Sequence, residues 1–277
     1  MSGAAAAVVA AVRLVHPAPA FAVTALSGAL GAILLAQAGR PIDAAWFATV
    51  AAVVGSQIFV GATNDLVDRG RDAAAGRLDK PLAAGEISPG VAVWIASFGL
   101  ALLIVASLRL SGLFLALGLA ATGSALAYNL WLSRTPFSVV PYVISFGILP
   151  IWIAVGVGVD PSRVAAAPFL VAPFAAAAHL ANAVRDFGAD ATLGSRNFAQ
   201  VLGLDLAFRV AWLLAVGVGM VVGAWLLLAG PVELPAVALG LIGLAAVAQG
   251  ARGPDALWGG MLVAAVCWTA AWALATG

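Results

Sequence analysis

Nine runs of about 17 to 25 mostly apolar residues leave this chain few folds to choose from. They lie near 20–39, 43–63, 90–108, 111–130, 137–158, 164–184, 205–229, 234–250 and 255–275. Each is long enough to cross a hydrocarbon layer of about 30 Å as a helix, and a helix satisfies its own backbone hydrogen bonds in lipid. Hydrophobic residues make up 64% of the chain and charged residues 9%, whereas charged residues are about a quarter of a soluble domain. The expectation is an all-α polytopic membrane protein, one transmembrane domain over residues 1–277. The Ala-rich stretch 4–12 before Pro17-Ala18-Pro19-Ala20 has no Lys or Arg ahead of Arg13, so it lacks the basic start of a signal peptide. It reads instead as an interfacial segment leading into the first span.

Basic residues orient the spans. Ten of them (Arg13, Arg69, Arg71, Arg77, Lys80, Arg134, Arg185, Arg196, Arg209, Arg252) fall in the N-terminal segment or in and beside even-numbered loops, against three (Arg40, Arg109, Arg163) on the other side. Positive charge is retained in the cytoplasm, which puts the N-terminus and the even loops there. The net charge of +1 gives no reason to expect a nucleic-acid partner.

Two polar strings interrupt the apolar pattern with one spacing, Asn-x3-Asp-x3-Asp. The first is Asn64, Asp68 and Asp72, with Asp65 beside the asparagine; the second, 118 residues on, is Asn182, Asp186 and Asp190. Each trio is followed four residues later by a glycine, Gly76 or Gly194. Spacing of i, i+4, i+8 lines three oxygen donors along one helix face, drifting about 40° per step. Both strings follow even-numbered spans and so open on the cytoplasmic side, in motif loops 64–89 and 182–204. The offset covers four spans and preserves direction, which predicts two related four-helix halves with a ninth helix appended.

Seven of the 12 acidic residues (Asp65, Asp68, Asp72, Asp79, Glu86, Asp186, Asp190) lie in these two regions. Solvated loop charges would be the plain reading of either string alone; matched spacing and sidedness argue for function. Carboxylates held together raise one another's pKa unless a cation intervenes. Mg²⁺ suits the donors, because it takes hard oxygen ligands and bridges substrate phosphates. Arg71, Arg77, Lys80, Arg134, Arg185 and Arg196 add the positive charge that a multiply charged anion needs. A diphosphate whose leaving charge is neutralised can depart from an allylic carbon, and apolar helices keep water from the resulting cation.

At these residues the chain resembles the UbiA-type intramembrane prenyltransferases. Asn64-Asp65-Leu66-Val67-Asp68-Arg69-Gly70-Arg71-Asp72 fits the pattern NDxxDxxxD, and Lys80-Pro81-Leu82-Ala83-Ala84-Gly85-Glu86-Ile87-Ser88 is similar to its [RK]PLxxGxIS continuation. Asn182 to Asp190 resembles the NxxxDxxxD string, and Tyr128 with Ser133-Arg134-Thr135-Pro136 resembles the Tyr…Lys/Arg loop after the fourth span. Asp79 stands where Asn often precedes the [RK]PL unit, and Arg196-Asn197-Phe198 replaces the common Arg-Thr-Leu. The resemblance implies nine helices around a central cavity, two Mg²⁺ ions and an isoprenyl diphosphate donor. Asn64, Asp68 and Asp72 would bind one metal, Asp186 and Asp190 the other, assisted by Asn182 and Asp65. Lys80, Arg134 and Arg77, with Arg71 and Arg185 near, would meet diphosphate oxygens, and Tyr128 would face the cation. The implied enzyme is a Mg²⁺-dependent prenyltransferase of the cytoplasmic membrane passing a prenyl group to an aromatic or lipophilic acceptor. A terpene cyclase on the same scaffold, or a non-catalytic cation or lipid carrier, are the alternatives.

The remaining singles point to packing. His16 and His179 have no zinc-type spacing; His179 lies two turns deeper than Asp186, as Gln57 does relative to Asn64. Cys267, in an apolar run, reads as a small hydrophobe, and Gly219 and Gly223 as close helix packing. The nine tryptophans are spread over spans and span ends.

Overall fold

The computed structural model describes residues 3–228 and 230–276, among which there is no strand. The helices are α1 (Gly3–Leu14), α2 (Pro17–Gln37), α3 (Ala44–Ala74), α4 (Pro89–Leu108), α5 (Gly112–Leu130), α6 (Val140–Gly156) and α7 (Pro168–Arg185). Two short helices follow, α8 (Phe187–Thr192) and α9 (Phe198–Leu202), and then α10 (Leu204–Leu228), α11 (Leu234–Ala248) and α12 (Pro254–Thr276). Helix starts are written locally. The Asp43 carboxylate accepts the Ala45 and Trp46 N–H groups at the head of α3, while Ser88 and Ser111 hydroxyls accept Val91 and Phe114 N–H at α4 and α5.

Helix covers each of the nine apolar runs. Seven helices among the described residues are both long and apolar enough to cross a membrane: α2, α3, α4, α5, α10, α12 and α11 with the 3₁₀ turn Gln249–Arg252 that extends it. Two fall short of the nine expected. α6 has only 17 residues, with Pro150 inside it. α7 has 18, and Pro173, His179, Asn182 and Arg185 dilute its apolar character. At the other extreme α3 has 31 residues, about 46 Å at 1.5 Å per residue, against a hydrocarbon layer of about 30 Å. Its first 20 residues account for that thickness, so the first polar string rides on the last turns as helix rather than as the loop expected from residue 64 onward.

The chain divides into two compact units, Met1–Leu35, Pro41–Trp131 and Ile148–Arg163 in the first, Ala36–Arg40, Leu132–Gly147 and Val164–Gly277 in the second. In the first unit α3 and α4 meet backbone to backbone: a Cβ on Gly99 would lie 2.7 Å from the Gly55 carbonyl oxygen, and one on Gly55 2.6 Å from that of Gly99. Small residues permit such approach. Val53, Leu103, Phe114, Trp152 and Ile153 fill the adjoining core, with the Phe114 and Trp152 rings 5.3 Å apart. Ser56 and Thr122 share a buried hydrogen bond of 2.8 Å between α3 and α5.

In the second unit α10 presents Ala207, Ala211 and Ala215, all fully buried, to a core shared with Leu180, Val184, Leu257 and Met261. Trp268 of α12 occupies a slot left by glycines: a Cβ on Gly219 would lie 2.7 Å from its ring, and its Nε1–H donates to the Gly240 carbonyl at 3.2 Å. Gly223, the other half of the glycine pair, faces open space among the described residues. The ninth helix thus contributes Leu257, Met261, Ala264 and Ala271, besides Trp268, to the core of the second unit. The division between the units falls between the fourth and fifth spans, at Trp131 and Leu132, and again inside α6, at Gly147 and Ile148, and before α7, at Arg163 and Val164.

Candidate active site

The first polar string lies on one face near the end of α3, with Asn64, Asp68 and Asp72 all half-buried. Asn64 donates its side-chain N–H to Asn129 Oδ1 of α5 at 3.2 Å. Asn129, 2% exposed, is itself fixed by donating to the Val60 carbonyl (2.9 Å) and to Thr63 Oγ1 (3.1 Å). With its amide nitrogen committed, Asn64 offers its carbonyl oxygen as a donor of the kind that Mg²⁺ takes. Asn129 was not singled out from the sequence; a lone amide in an otherwise apolar span is the signal that could have found it.

Asp65 does not join that face. One residue on turns about 100° around the helix, and the carboxyl is 1% exposed, facing the N-terminal segment and the loop after α3. Its Oδ1 accepts Lys80 Nζ at 2.6 Å and His16 Nε2 at 2.9 Å. The expectation that Asp65 assists the metal is replaced by an ion pair that anchors Lys80. The loop is pinned again by Arg13, whose guanidinium meets Glu86 at 2.8 Å and the Asp79 carbonyl at 2.5 Å. Arg77 is turned to Asp79, donating at 3.0 and 3.3 Å, and these bonds hold the Asp79 carboxyl below the usual range.

The second string is bent where the first is straight. α7 ends at Arg185, Asp186 takes a non-helical turn conformation (φ −93°, ψ 7°), and Asp190 sits in α8. The i+4 hydrogen bonds still run through the break, from Asp186 N–H to the Asn182 carbonyl (3.2 Å) and from Asp190 N–H to the Asp186 carbonyl (2.9 Å). Both strings then stop alike. Gly76 (φ +66°) and Gly194 (φ +70°) adopt left-handed backbone, and the next residue's N–H returns to the third aspartate's carbonyl, Arg77 to Asp72 (2.9 Å) and Ser195 to Asp190 (3.0 Å). That is the glycine-terminated helix end, and its repetition at one offset supports the internal duplication.

Asp190 has the more elaborate support. Asn197 donates to its Oδ2 at 2.7 Å and Ser195 to its Oδ1 at 3.4 Å, both from buried positions. The Asn197 carbonyl oxygen meanwhile caps α9 by accepting the Gln200 N–H at 2.9 Å. Arg134, in the 3₁₀ turn Leu132–Arg134, is tied in through its carbonyl, which accepts the Arg196 N–H at 3.1 Å. Beneath this loop Ser138 Oγ accepts the Phe198 N–H (3.0 Å) and pairs with His179 Nε2 (2.9 Å); His179 is 3% exposed, with the Tyr142 ring 4.7 Å away. His179 is thus packed, as expected. Asp186 is exposed and opens with Asp205 and Asp255 on a cleft of about 600 Å³, where Arg185 is held by Asp255 at 2.7 Å.

Among the described residues no three His, Cys, Asp or Glu side chains form a ready-made metal cage. That suits Mg²⁺, which keeps waters and binds through one or two carboxylates plus substrate phosphates. The oriented Asn64 oxygen and the braced Asp190 carboxylate are hard donors with their supporting hydrogen bonds in place, so the residues present fit such an ion.

The UbiA prenyltransferase family pattern matches residues 21–256. The chain belongs to the UbiA prenyltransferase family. A UbiA homologue from Aeropyrum pernix K1 shares the fold with a TM-score of 0.75 at 18% identity, over 90% of this chain and 96% of that one. A homologue from Archaeoglobus fulgidus, bound to GPP and Mg²⁺, gives 0.69 at 17% identity over 97% and 100% of the two chains. A digeranylgeranylglyceryl phosphate synthase gives 0.69 at 14% identity over 95% and 98%. Such identities establish the fold. No curated protein sequence matches the chain at a significant level.

Proposed function

We propose that this UbiA-family protein transfers the prenyl group of an isoprenyl diphosphate to an aromatic or lipophilic acceptor. The reading is supported by the family, by the diphosphate and Mg²⁺ bound to the A. fulgidus homologue, and above all by one local observation. Asn64 has its amide nitrogen committed to Asn129 and its oxygen left beside Asp68 and Asp72 on the same helix face, an arrangement with a cation as its natural use. Asn64, Asp68 and Asp72 would hold one Mg²⁺, and Asp186 and Asp190, with Asn182, the other. The metal supplies neutralisation of the charge that develops on the diphosphate as it leaves.

The remaining groups act directly on the substrate. Lys80, Arg134 and Arg71 donate to diphosphate oxygens. Arg77 and Arg185 reach them by exchanging exposed carboxylate partners, Asp79 and Asp255, at little cost because such pairs are weak. Tyr128 turns its ring toward the allylic cation. Nine helices span the cytoplasmic membrane, with the N-terminus and both strings on the cytoplasmic side.

Asp68→Ala and Asp186→Ala are each expected to lower turnover of GPP, with Mg²⁺ and a panel of aromatic and lipid acceptors, by at least about a hundredfold while the purified protein stays folded. Full activity in either variant overturns its metal role. A cyclised product formed without any acceptor would identify a cyclase instead.

A further inference from the structure

We propose that His16 is a positioning residue for Lys80, so that the segment joining α1 to α2, which precedes the family pattern, completes the diphosphate site. The proposal rests on the reading of Lys80 as a diphosphate ligand.

The carboxyl of Asp65 is the pivot. It is buried, and its Oδ2 takes no hydrogen bond among the described residues, so the compensation of its charge converges on Oδ1. His16 Nε2 lies 2.9 Å and Lys80 Nζ 2.6 Å from Oδ1, and the two nitrogens are 3.2 Å apart, so the three groups close a triangle. A lysine on a four-carbon stem would otherwise sample several rotamers around the carboxylate. With the imidazole packed against it the ammonium is held in place, and Asp65 and His16 together take at most two of its three protons. The proton that remains can meet an anion without losing the anchor. Freezing the side chain before substrate arrives removes an entropic cost from binding.

The backbone is shaped for this contact. Gly61 sits one helical turn before Asp65, hence on the same face. A Cβ there would lie 2.8 Å from the Val15 carbonyl oxygen and 2.9 Å from its Cα, so glycine lets the N-terminal segment lie flush on α3. The next residue, His16, has φ +51° and is the sole described non-glycine residue with positive φ. Such backbone is uncommon for a residue with a Cβ, and here it aims the imidazole at Asp65. Arg13, three residues earlier, grips the loop that carries Lys80 at two places, the Asp79 carbonyl beside it and the Glu86 carboxylate further on.

The test compares His16→Leu, His16→Gln, His16→Asn, Gly61→Ala, Lys80→Met and the double variant His16→Leu/Lys80→Met. Each is purified as the full chain, with its melting temperature recorded. Two quantities are read: the KM for the isoprenyl diphosphate against kcat, and the Kd of inorganic diphosphate with Mg²⁺ by calorimetry. Loss of one hydrogen bond to a charged group predicts that His16→Leu raises KM and Kd by about tenfold, with kcat changed much less. His16→Gln, whose amide reaches as far, restores both to within about threefold. His16→Asn keeps the left-handed backbone but falls short of Asp65, and Gly61→Ala lifts the segment; both are expected to behave like His16→Leu, and either carries the test if leucine impairs folding. In the Lys80→Met background, His16→Leu adds nothing.

Unchanged KM and Kd in the folded His16 variants, beside a raised KM in Lys80→Met, overturn the role of His16 alone. Multiplying effects in the double variant overturn it too, since His16 would then act apart from Lys80. If Lys80→Met itself leaves both quantities unchanged, the reading of Lys80 falls first.

Discussion

At the scale of single residues, the site is defined by which atom of each polar side chain is already committed. Asn64 and Asn129 use their amide nitrogens on neighbours, and Asn197 uses both ends at once, nitrogen on Asp190 and oxygen on the α9 cap. The two duties can be separated. Asn197→Ala is expected to raise the Mg²⁺ concentration needed for half-maximal activity about tenfold, the usual loss when a ligand's hydrogen-bond support is removed, and to cost about 1 kcal/mol of stability through the lost cap. Asn197→Asp keeps the cap but sets a second carboxylate against Asp190, so stability recovers while Mg²⁺ dependence worsens further. Titration of activity with Mg²⁺, beside thermal melting of the same preparations, checks both. This position was noted in the sequence only as a departure from the family pattern. Its bond to an aspartate seven residues away depends on how the turn at Gly194 folds, and spacing alone does not encode that.

At the scale of helices, glycines decide where backbones touch. Gly55 and Gly99 bring α3 and α4 into contact, and Gly219 makes room for Trp268, whereas Gly223 meets nothing among the described residues. A methyl group at Gly99 has nowhere to go, because its nearest neighbours are the Gly55 and Phe59 backbone and the Ile58 Cβ, none of which can swing aside. Gly99→Ala is therefore expected to destabilise by about 1–3 kcal/mol. Gly223→Ala should be neutral or stabilising, by up to about 1 kcal/mol, since alanine suits a helix better. Unfolding of detergent-solubilised protein by a denaturing detergent would rank the pair, and equal effects would contradict the packing described. The sequence offered Gly219 and Gly223 as a matched pair with GxxxG spacing. Only the partner helix shows that one of them is used, and that its partner is a tryptophan ring rather than another backbone.

At the scale of the molecule, charge distribution predicts which side of the membrane each loop occupies. In a Cys267→Ser background, Leu78→Cys, 71% exposed in the loop after α3, is expected to react with a membrane-impermeant maleimide only in inside-out vesicles. Ser162→Cys, between α6 and α7, should react only in right-side-out cells or vesicles. Labelling of both from one side would refute the nine-span arrangement. The polar strings belong to this scale as well, since the first lies on a helix about 46 Å long, more than the hydrocarbon requires. Its surplus turns carry carboxylates where water and ions reach them.

By itself the sequence determined the all-helical class, the approximate place of every apolar helix, the family, and the two acidic strings with their terminating glycines. These follow from local chemistry: run length, i to i+4 spacing, and the backbone freedom of Gly76 and Gly194. Tertiary structure alone decided that Asp65 turns away from its neighbours to hold Lys80, that His16 meets Asp65 and Asn129 meets Asn64 from distant segments, and that α12 belongs to a core. The reason is geometric. One residue rotates a side chain by about 100° on a helix, and the partner it then meets, 49 residues away for His16, is set by packing that no short pattern contains.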